Sequence, residues 1–237
     1  MRVMVSQSMY FPWYGFFSQI ALCQMYVKYD GVQFSKGSLT NRVQVQLPET
    51  TKSTWMTIPV RKNSGNRLIS SLRPDNAKKW RERHMGLIRS AFSSTPHYAD
   101  ILKIVESTFG GITDDSSIGD ISLLSTQTVH RFLYPDSEIS WVNGDQWFDH
   151  LSGSDRLLEI LRSLGASSYL SGIGGKNYLD PSDFRRAGIK LQYMEYDIKR
   201  YKQSFDMFNP FVSILDPISH IGSATIEYFR SRIQEVI

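Results

Sequence analysis

The N-terminal segment constrains the fold more than any other part of the chain, because two short apolar runs flank one helical pattern. Residues 3–6 and 25–29 have the length and composition typical of buried strands. Pro12 prevents a helix from starting earlier, and residues 15–23 then carry apolar side chains every three to four positions. A strand, a helix and a second strand within so short a stretch predict a compact βαβ unit with a right-handed crossover and parallel strands.

The loops that follow these two strands are candidates for a binding crevice. In parallel sheets of this kind, ligands bind beyond the carboxyl ends of the strands, so residues 7–13 and 30–33 should lie side by side. The first loop is rich in aromatic side chains, which bury large areas and also stack on flat ligands. We therefore expect the two loops, residues 7–13 and 30–33, to line a crevice.

The rest of the chain completes a predicted α/β fold, a Rossmann-like mixed sheet with an inserted antiparallel hairpin and a helical segment. Residues 41–47 and 55–60 alternate polar and apolar side chains as hairpin strands do, and a short strand is predicted around 68–72. A helix is predicted from Asp75 until Pro96 stops it, and further helices over 99–107 and 121–133.

A second α/β stretch follows the helical segment. It has predicted strands over 139–142, 168–171 and 189–194, helices over 154–164 and 181–187, and a tail after 209 with a loop and two helices. We therefore expect a single domain over residues 1–237, with the hairpin insertion at about 41–72 and the helical segment at about 75–133.

Composition and charge exclude several classes of protein. Of 237 residues, 41% are apolar and 21% charged, which excludes a disordered, collagen-like or coiled-coil chain. The net charge of +4 is small and the basic residues form no block, so the charge does not indicate nucleic-acid binding. Cys23 is the single cysteine and permits no internal disulfide or cysteine metal cluster. With no run near the roughly 18 apolar residues of a membrane span, and no signal-peptide pattern, we expect a soluble, cytoplasmic protein.

Two features have open interpretations from the residues alone. The glycine-rich segment 172–177 follows a predicted strand and either binds a phosphate through backbone N–H groups or forms a tight turn; it matches neither a Walker nor a GxGxxG pattern. His84 lies four residues after Trp80 on a predicted helix and is either an exposed or capping residue or a general base. No two histidines have the spacing of a helical metal site, so we expect no metal centre.

Longer segments resemble a known family. In the first half these are the aromatic run QSMYFPWYGFF from Gln7, YDGVQF from Tyr29, Asn41–Arg42, WMTIPV from Trp55, Trp80 with His84, and residues 91–98. In the second half they are Asp155–Leu157, residues 164–166, YLSGIGG from Tyr169 with Tyr178–Leu179, Gly188–Ile189, Tyr201 with Gln203, and Phe208 to Asp216. Together, in this order and at this spacing from about residue 2 to 222, they resemble the WbqC-like family.

The resemblance implies a biochemical role. The family occurs in bacterial polysaccharide and O-antigen gene clusters, which implies the transfer of glycine or another amino acid to the amine of a nucleotide-linked amino sugar. The expected donor is an activated amino acid: an aminoacyl-tRNA, an aminoacyl carrier protein, or a free amino acid with ATP and Mg²⁺. Such a transfer needs a base for the attacking amine and donors that polarise the carbonyl group.

The resemblance also implies candidate residues for these roles. His84 or Asp30 would be the catalytic base, and Asn41 and Arg42 would polarise the carbonyl or bind phosphate. The substrate would be bound by Gln7, Tyr10, Trp13, Gln33, by the glycine turn with Gly174, Gly175, Lys176 and Tyr178, and by Gln203, Ser213 and Asp216.

Three positions depart from the pattern that the family usually shows. Ser8 replaces a proline, Gly31 replaces a second aspartate after Asp30, and Val43 replaces a second asparagine after Arg42. If the aspartate pair holds a metal or shares a proton, this chain has lost half of it.

Two other classes of function remain open. A strand, a loop at a helix start and a second strand ending in Asp30 also suit the nucleotide crevice of an adenylyl- or cytidylyltransferase, which would use ATP or another nucleotide with Mg²⁺. The third class is a non-catalytic sugar- or nucleotide-binding partner of a biosynthetic enzyme, which the aromatic loop would serve equally well.

Overall fold

The computed structural model describes residues 1–48, 53–62, 67–204, 207–229 and 231–235. Eight strands are found there: β1 (Arg2–Ser6), β2 (Met25–Lys28), β3 (Arg42–Gln46), β4 (Ser53–Thr57), β5 (Ser140–Asn143), β6 (Ser168–Ser171), β7 (Lys190–Glu195) and β8 (Arg232–Glu235). The α-helices are α1 (Tyr14–Ala21), α2 (Trp80–Phe92), α3 (Tyr98–Gly110), α4 (Ile118–Leu133), α5 (Gly153–Ser163), α6 (Pro181–Arg186), α7 (Leu215–Ile221) and α8 (Thr225–Tyr228).

Six of the strands form one sheet in the order β5-β2-β1-β6-β7-β8. All pairs are parallel except β7 with β8, and in the first pair Val5 lies opposite Val27. The chain builds outward from β1 to β2 and β5 on one side, and then continues through β6 and β7 on the other. The predicted mixed α/β sheet is confirmed, and the order of the strands reverses between β1 and β6, where open sheets of this kind bind ligands.

Both faces of this sheet are covered, which explains the continuous apolar runs of its central strands. Val3 of β1 packs on one face with α5 and with Phe184 of α6. The neighbouring Met4 points to the other face, where it packs with Phe16 and Ile20 of α1. The alternation of strand side chains therefore divides a short apolar segment between two core clusters.

The predicted hairpin is confirmed as a separate two-stranded antiparallel sheet, β3 with β4, in which Val43 lies opposite Met56. Its apolar face belongs to a third core cluster that also contains Trp80 of α2 and buried residues of α3, α4 and α7. Tyr10 and Phe11 from the loop after β1 enter the same cluster, so this loop connects the large sheet to the hairpin.

The strand predicted around 68–72 is wrong, because a 3-10 helix, Ile69–Ser71, occupies this segment. Ile69 and Leu72 are both buried in the same cluster, and a three-residue spacing on one face fits a 3-10 turn but not the alternation of a strand. Only one β-bridge forms here, between Leu68 and Gln33.

Two further elements differ from expectation. The helix expected from Asp75 begins at Trp80, because Lys79 has a left-handed φ of 45° that separates α2 from the 3-10 helix Asn76–Lys78. The tail contains the two expected helices, α7 and α8, and also the unexpected edge strand β8, whose few and mostly polar residues lack an apolar strand signature.

Within the part of the chain that the structure describes, no helix combines the length and apolar character needed to cross a bilayer.

Candidate functional site

The loop after β1 is held in a strained conformation by two serines. Phe11 has a φ of 39°, which is unusual for a bulky residue. Its N–H donates to Ser125 Oγ of α4 at 2.9 Å, and its carbonyl accepts from Ser213 Oγ at 3.0 Å. Strain of this kind persists only where the surroundings fix it, so Ser213 positions the aromatic loop, and it is itself fully buried.

Beside this loop lies an aromatic pocket of about 330 Å³. It is lined by Tyr10, Pro12, Trp13, Leu39, Arg42, Val43, Gln44, Trp55 and Phe211. The rings of Trp13 and Phe211 lie 5.3 Å apart, and the Arg42 guanidinium lies 3.9 Å above the ring of Trp55. Large aromatic side chains remain partly exposed here, which suits the binding of a flat ring.

A larger cleft of about 1030 Å³ shares Arg42 with the aromatic pocket, and we call it the basic cleft. Its lining includes six cationic side chains, and among the described residues that line it there is no Asp or Glu: Lys36, Arg42, Arg61, Lys62, Arg67 and Lys78. Lys78 also pairs with Asp75 outside the lining, at 3.5 Å. A concave surface that is lined by positively charged side chains attracts anionic ligands.

Two polar atoms at the wall of the basic cleft have no hydrogen-bond partner in the described residues. Asn41 is 6% exposed and donates from Nδ2 to the carbonyl of Ile58 at 2.8 Å, whereas its Oδ1 is unpartnered. Arg42 donates from Nη2 to the carbonyl of Gly37 at 2.6 Å, whereas its Nε is unpartnered. Buried polar atoms are nearly always paired, so these two offer an acceptor and a donor to a ligand.

His84 lies behind both cavities rather than inside one. It is 2% exposed, its Nε2 lies 3.1 Å from the carbonyl of Thr57, and its Nδ1 lies 3.0 Å from Tyr10 Oη. Because a carbonyl only accepts, Nε2 carries the proton and Nδ1 accepts from Tyr10. Burial lowers the pKa of His84 to about 4, against the opposing hydrogen bond to Thr57, so the ring is neutral at pH 7.

Asp30 belongs to a lysine–carboxylate cluster at the carboxyl ends of β2 and β5, in which Lys28, Asp30 and Asp145 are buried and Asp120 of α4 is exposed. Lys28 Nζ lies 2.7 Å from Asp120 Oδ1, 2.9 Å from Asp145 Oδ2 and 3.8 Å from Asp30 Oδ2. Ser8 donates to both oxygens of Asp30, which confirms that the two loops expected side by side are in contact. The described residues contain no group of three His, Cys, Asp or Glu arranged to hold a metal ion.

In this cluster, burial and the interactions with charged or hydrogen-bonding partners shift the pKa values in opposite directions. Burial raises the pKa of Asp30 to about 6, although the hydrogen bonds from Ser8 and the charge of Lys28 act against this rise. Burial alone would lower the pKa of Lys28, but hydrogen bonds to Asp120 and Asp145 outweigh it and raise that pKa. The ion pairs of this cluster therefore join the ends of β2 and β5 to α4, and the hydrogen bonds from Ser8 attach the end of β1 to the fully buried Asp30.

Arg156 secures the loop at Gly31. It is 3% exposed and donates to the carbonyls of Gly31 (3.0 Å), Asp145 (2.8 Å) and Trp147 (2.9 Å). A Cβ on Gly31 would lie 1.7 Å from the carbonyl oxygen of Asp145. The close backbone approach therefore requires glycine, and it leaves no room here for the second aspartate of the family pattern.

The glycine turn lies apart from the two cavities. Residues Ile173–Asn177 form a 3-10 helix after β6, and neither they nor Tyr178 line the basic cleft or the aromatic pocket. Lys176 donates to Gln234 Oε1 at 2.6 Å and lies over the ring of Tyr193, while Tyr178 is 69% exposed. A Cβ on Gly175 would lie 2.1 Å from Ser171 Oγ, whereas one on Gly174 would meet nothing.

The other expected crevice residues differ in placement. Gln7 and Gln33 are exposed, and Gln33 contributes its backbone to the bridge with Leu68. Gln203 and Asp216 are buried together: Gln203 Nε2 lies 3.1 Å from Asp216 Oδ1, to which Tyr201 Oη also donates at 2.5 Å. Burial raises the pKa of Asp216, with these hydrogen bonds and His220 opposing the rise.

The structure thus gathers four of the expected residues at the two cavities, namely Tyr10, Trp13, Asn41 and Arg42. It adds residues that sequence reasoning missed: five further cations of the basic cleft, and Trp55 and Phe211. It also places His220 next to both Ser204 and Asp216. A weak signal existed for some of these, because Arg61 and Lys62 directly follow a predicted hairpin strand, and Asp216 and His220 have helical i, i+4 spacing.

Comparison with known proteins identifies similar chains. Residues 7–228 match a family model described as the WbqC-like protein family. The chain is 27% identical over 233 residues to the uncharacterized protein Rv1507c of Mycobacterium tuberculosis (strain ATCC 25618 / H37Rv), an alignment that covers 97% of each chain. No solved structure matches the chain.

Proposed function

This chain belongs to the WbqC-like protein family, and on that premise we propose that it is an enzyme of bacterial surface-polysaccharide synthesis. In this proposal it transfers glycine or another amino acid to the amine of a nucleotide-linked amino sugar. The observation that carries the proposal is that a cleft with six cations and a pocket with aromatic walls meet at one residue, Arg42.

The two cavities match the two ends of such a ligand. The diphosphate of a nucleotide sugar carries negative charge, and arginine and lysine side chains bind phosphate through charge-assisted hydrogen bonds. The nucleobase or sugar ring has flat faces that suit Trp13, Trp55 and Phe211. Arg42 would bind the phosphate with its free Nε while its guanidinium stays stacked on Trp55.

The attacking amine must lose a proton, and we keep Asp30 and His84 as candidates for this step. His84 is the better placed of the two, because its partners Thr57 and Tyr10 line the basic cleft and the aromatic pocket. Both ring nitrogens of His84 already have hydrogen-bond partners, the carbonyl of Thr57 and the hydroxyl of Tyr10, so the first role of His84 is to position Tyr10. Asn41, with an unpartnered Oδ1, is the natural acceptor for an N–H or O–H of the sugar.

Thermal melting tests the ligand class. Uridine, thymidine and guanosine diphosphate amino sugars are compared with the corresponding sugars without the amine, and with ATP. A ligand at about 100 times its dissociation constant adds about 2.7 kcal/mol, which raises the melting temperature by roughly 5–10 °C for a chain of this size. A rise with one amino sugar that its plain counterpart does not give supports the proposal, and no rise with any of them contradicts it.

Variants locate the ligand. Arg61→Met removes one cation of the basic cleft and should weaken binding by roughly 10- to 150-fold, because a charge-assisted hydrogen bond contributes about 1.5–3 kcal/mol. Trp55→Ala should weaken binding through lost stacking. Arg89→Met, on the exposed side of α2, is the matched control and should bind normally. Equal affinities of all three variants would place the ligand elsewhere.

A nucleotidyl transfer is a second candidate, favoured by the reversal of strand order between β1 and β6. That arrangement suits a nucleotide beyond the strand ends. In the same melting series a rise with ATP alone, unaffected by Arg61→Met, would favour it over aminoacyl transfer.

A further inference from the structure

Ser204 and His220 form a hydrogen-bonded pair outside both cavities. Ser204 Oγ lies 3.0 Å from His220 Nε2, within the range expected of a nucleophile and its base. Ser204 is exposed, whereas the His220 side chain is 13% exposed. The serine is therefore accessible to a reagent, and its partner is largely shielded from water.

The surroundings of His220 select one tautomer. Nδ1 lies 2.9 Å from the backbone carbonyl of Asp216 and 3.0 Å from Ser219 Oγ. The carbonyl only accepts, and the Ser219 hydroxyl donates its own proton to that carbonyl at 2.7 Å, so both partners require a proton on Nδ1. The neutral ring then carries a lone pair on Nε2, directed at the hydroxyl of Ser204.

Asp216 supplies negative charge on the opposite side of the ring. Its Oδ1 lies 3.9 Å from His220 Nδ1, and Tyr201 and Gln203 hold the carboxyl group in place. A buried carboxylate at this distance stabilises the imidazolium that forms when a histidine accepts a proton. The order of groups is that of a serine nucleophile, a histidine base and an acidic residue that supports the base.

The segment that carries Ser204 also reaches the aromatic pocket. Gln203 accepts from the backbone N–H of Asn209 at 2.9 Å and donates to its carbonyl at 3.0 Å. Asn209 Oδ1 accepts from the backbone N–H of Phe211, which lines the pocket. Asn209 Nδ2 donates to Ser53 Oγ of β4 at 3.2 Å. Gln203, the neighbour of Ser204, is thus linked to Phe211 of the pocket by hydrogen bonds through Asn209.

We propose that Ser204 is a catalytic nucleophile, activated by His220, that carries the acyl group as a serine ester between donor and acceptor. This inference rests on the proposed function for the nature of the acceptor, an amino sugar. The donor is an activated acyl compound, an ester or a thioester. In this scheme His220 replaces Asp30 and His84 as the base that accepts the protons, and His84 only positions Tyr10.

The transfer proceeds in two balanced steps. In the first, Ser204 Oγ adds to the acyl carbon, His220 Nε2 accepts the hydroxyl proton, and the bond from the acyl carbon to the donor's oxygen or sulfur breaks as that proton passes to the leaving group. In the second, the amine adds to the serine ester, an amide bond forms, the ester bond breaks, and the amine's proton returns through Nε2 to Ser204 Oγ.

Covalent labelling of the intact chain tests the nucleophile without any sugar substrate. The protein is incubated with diisopropyl fluorophosphate and separately with p-nitrophenyl acetate, and intact mass spectrometry with peptide mapping locates the adduct. We expect one adduct per chain on Ser204, and none on Ser204→Ala. His220→Gln should slow labelling by about 10²-fold or more, the usual contribution of a general base. His150→Gln, which changes an exposed histidine, is the matched control and should label at the wild-type rate.

The outcomes separate this inference from the proposed function. Labelling of Ser204 that depends on His220 supports the nucleophile even if no amino sugar raises the melting temperature, a result that would overturn only the proposed function. Absence of labelling on Ser204, or equal labelling in His220→Gln and wild type, overturns the nucleophile even if an amino sugar binds. Circular dichroism of each variant shows whether it is folded, and a misfolded His220→Gln is replaced by His220→Asn.

Discussion

Ser8 donates two hydrogen bonds to Asp30, from its backbone nitrogen to Oδ1 at 2.8 Å and from its hydroxyl to Oδ2 at 2.7 Å. The resemblance to the family predicts proline at this position, and proline has neither donor. The departure at Ser8 therefore has a structural consequence, because it gives this chain two donors for a buried carboxylate that is followed in the sequence by Gly31 instead of a second aspartate.

Ser8→Ala should destabilise the protein more at pH 7.5 than at pH 4.5. The lost hydroxyl bond contributes about 1.5–3 kcal/mol while Asp30 is ionised. Because the pKa of Asp30 is about 6, the carboxyl group is protonated at pH 4.5 and the bond is weaker there. Urea denaturation at both pH values measures the difference. Ser6→Ala is the control, because the Ser6 hydroxyl donates to the carbonyl of Gln7 and not to a carboxylate. An equal loss for Ser8→Ala at both pH values would contradict the assignment.

Lys28→Met should destabilise the protein by about 3–5 kcal/mol at pH 7, because it leaves the buried carboxylates of Asp30 and Asp145 without their shared cation; the half-exposed Asp120 keeps access to water and adds little to the loss. Protonation of Asp30, whose pKa is about 6, should recover part of the loss at pH 4. Chemical denaturation across this pH range is the measurement. Lys103→Met, at an exposed surface pair on α3, should change stability by less than about 1 kcal/mol.

His84 should make the protein labile to acid. Its pKa is lowered to about 4 in the folded state, against an ordinary value near 6.5, so the unfolded chain binds more protons and stability falls as the pH drops from about 6.5 to 4. The loss from this residue is roughly 3 kcal/mol at about 1.4 kcal/mol per pKa unit. Buried His130, with a pKa of about 4, acts in the same direction.

The stability of His84→Gln should therefore depend less on pH than that of the wild type. Asp30 has the opposite sign, since its raised pKa favours the folded state at low pH, but its contribution cancels when the two proteins are compared. Denaturation curves between pH 7 and pH 4 measure the slope. His150→Gln, at an exposed site, should keep the wild-type slope, and a parallel curve for His84→Gln would refute the role of burial.

Gly31→Ala should cost about 3 kcal/mol or more, because its Cβ would meet the backbone oxygen of Asp145, which cannot move without breaking the bonds to Arg156. Gly86→Ala is the matched control. A Cβ at Gly86 meets nothing within 4 Å, and alanine in the middle of α2 should stabilise the protein by about 0.8–1 kcal/mol. Thermal melting distinguishes the two variants. An unchanged melting temperature for Gly31→Ala would contradict the prediction, because it would show that the loop at Asp145 can move to make room for the Cβ.

The sequence by itself determined five of the six strands of the large sheet, all but β8, and the contact between the first two loops. The apolar runs at residues 3–6 and 25–29 predict strands because burial on both faces leaves a local signature, and the short connection between them fixes parallel strands with their loops at one edge. The contact of Ser8 with Asp30 follows from that geometry. By contrast, the 3-10 helix at Ile69 has no local signature that separates it from a strand.

Only the tertiary structure determined which cationic side chains lie together in the basic cleft and where His84 is buried. Arg61 and Lys36 become neighbours of Arg42 only because the hairpin folds back over the segment after β2. His84 has the residue type of a base, but its burial between Thr57 and Tyr10 depends on how α2 packs against the hairpin. Local periodicity reports which face of an element is buried, whereas the partners across a cavity are set by packing between elements distant in the chain, which no local pattern encodes.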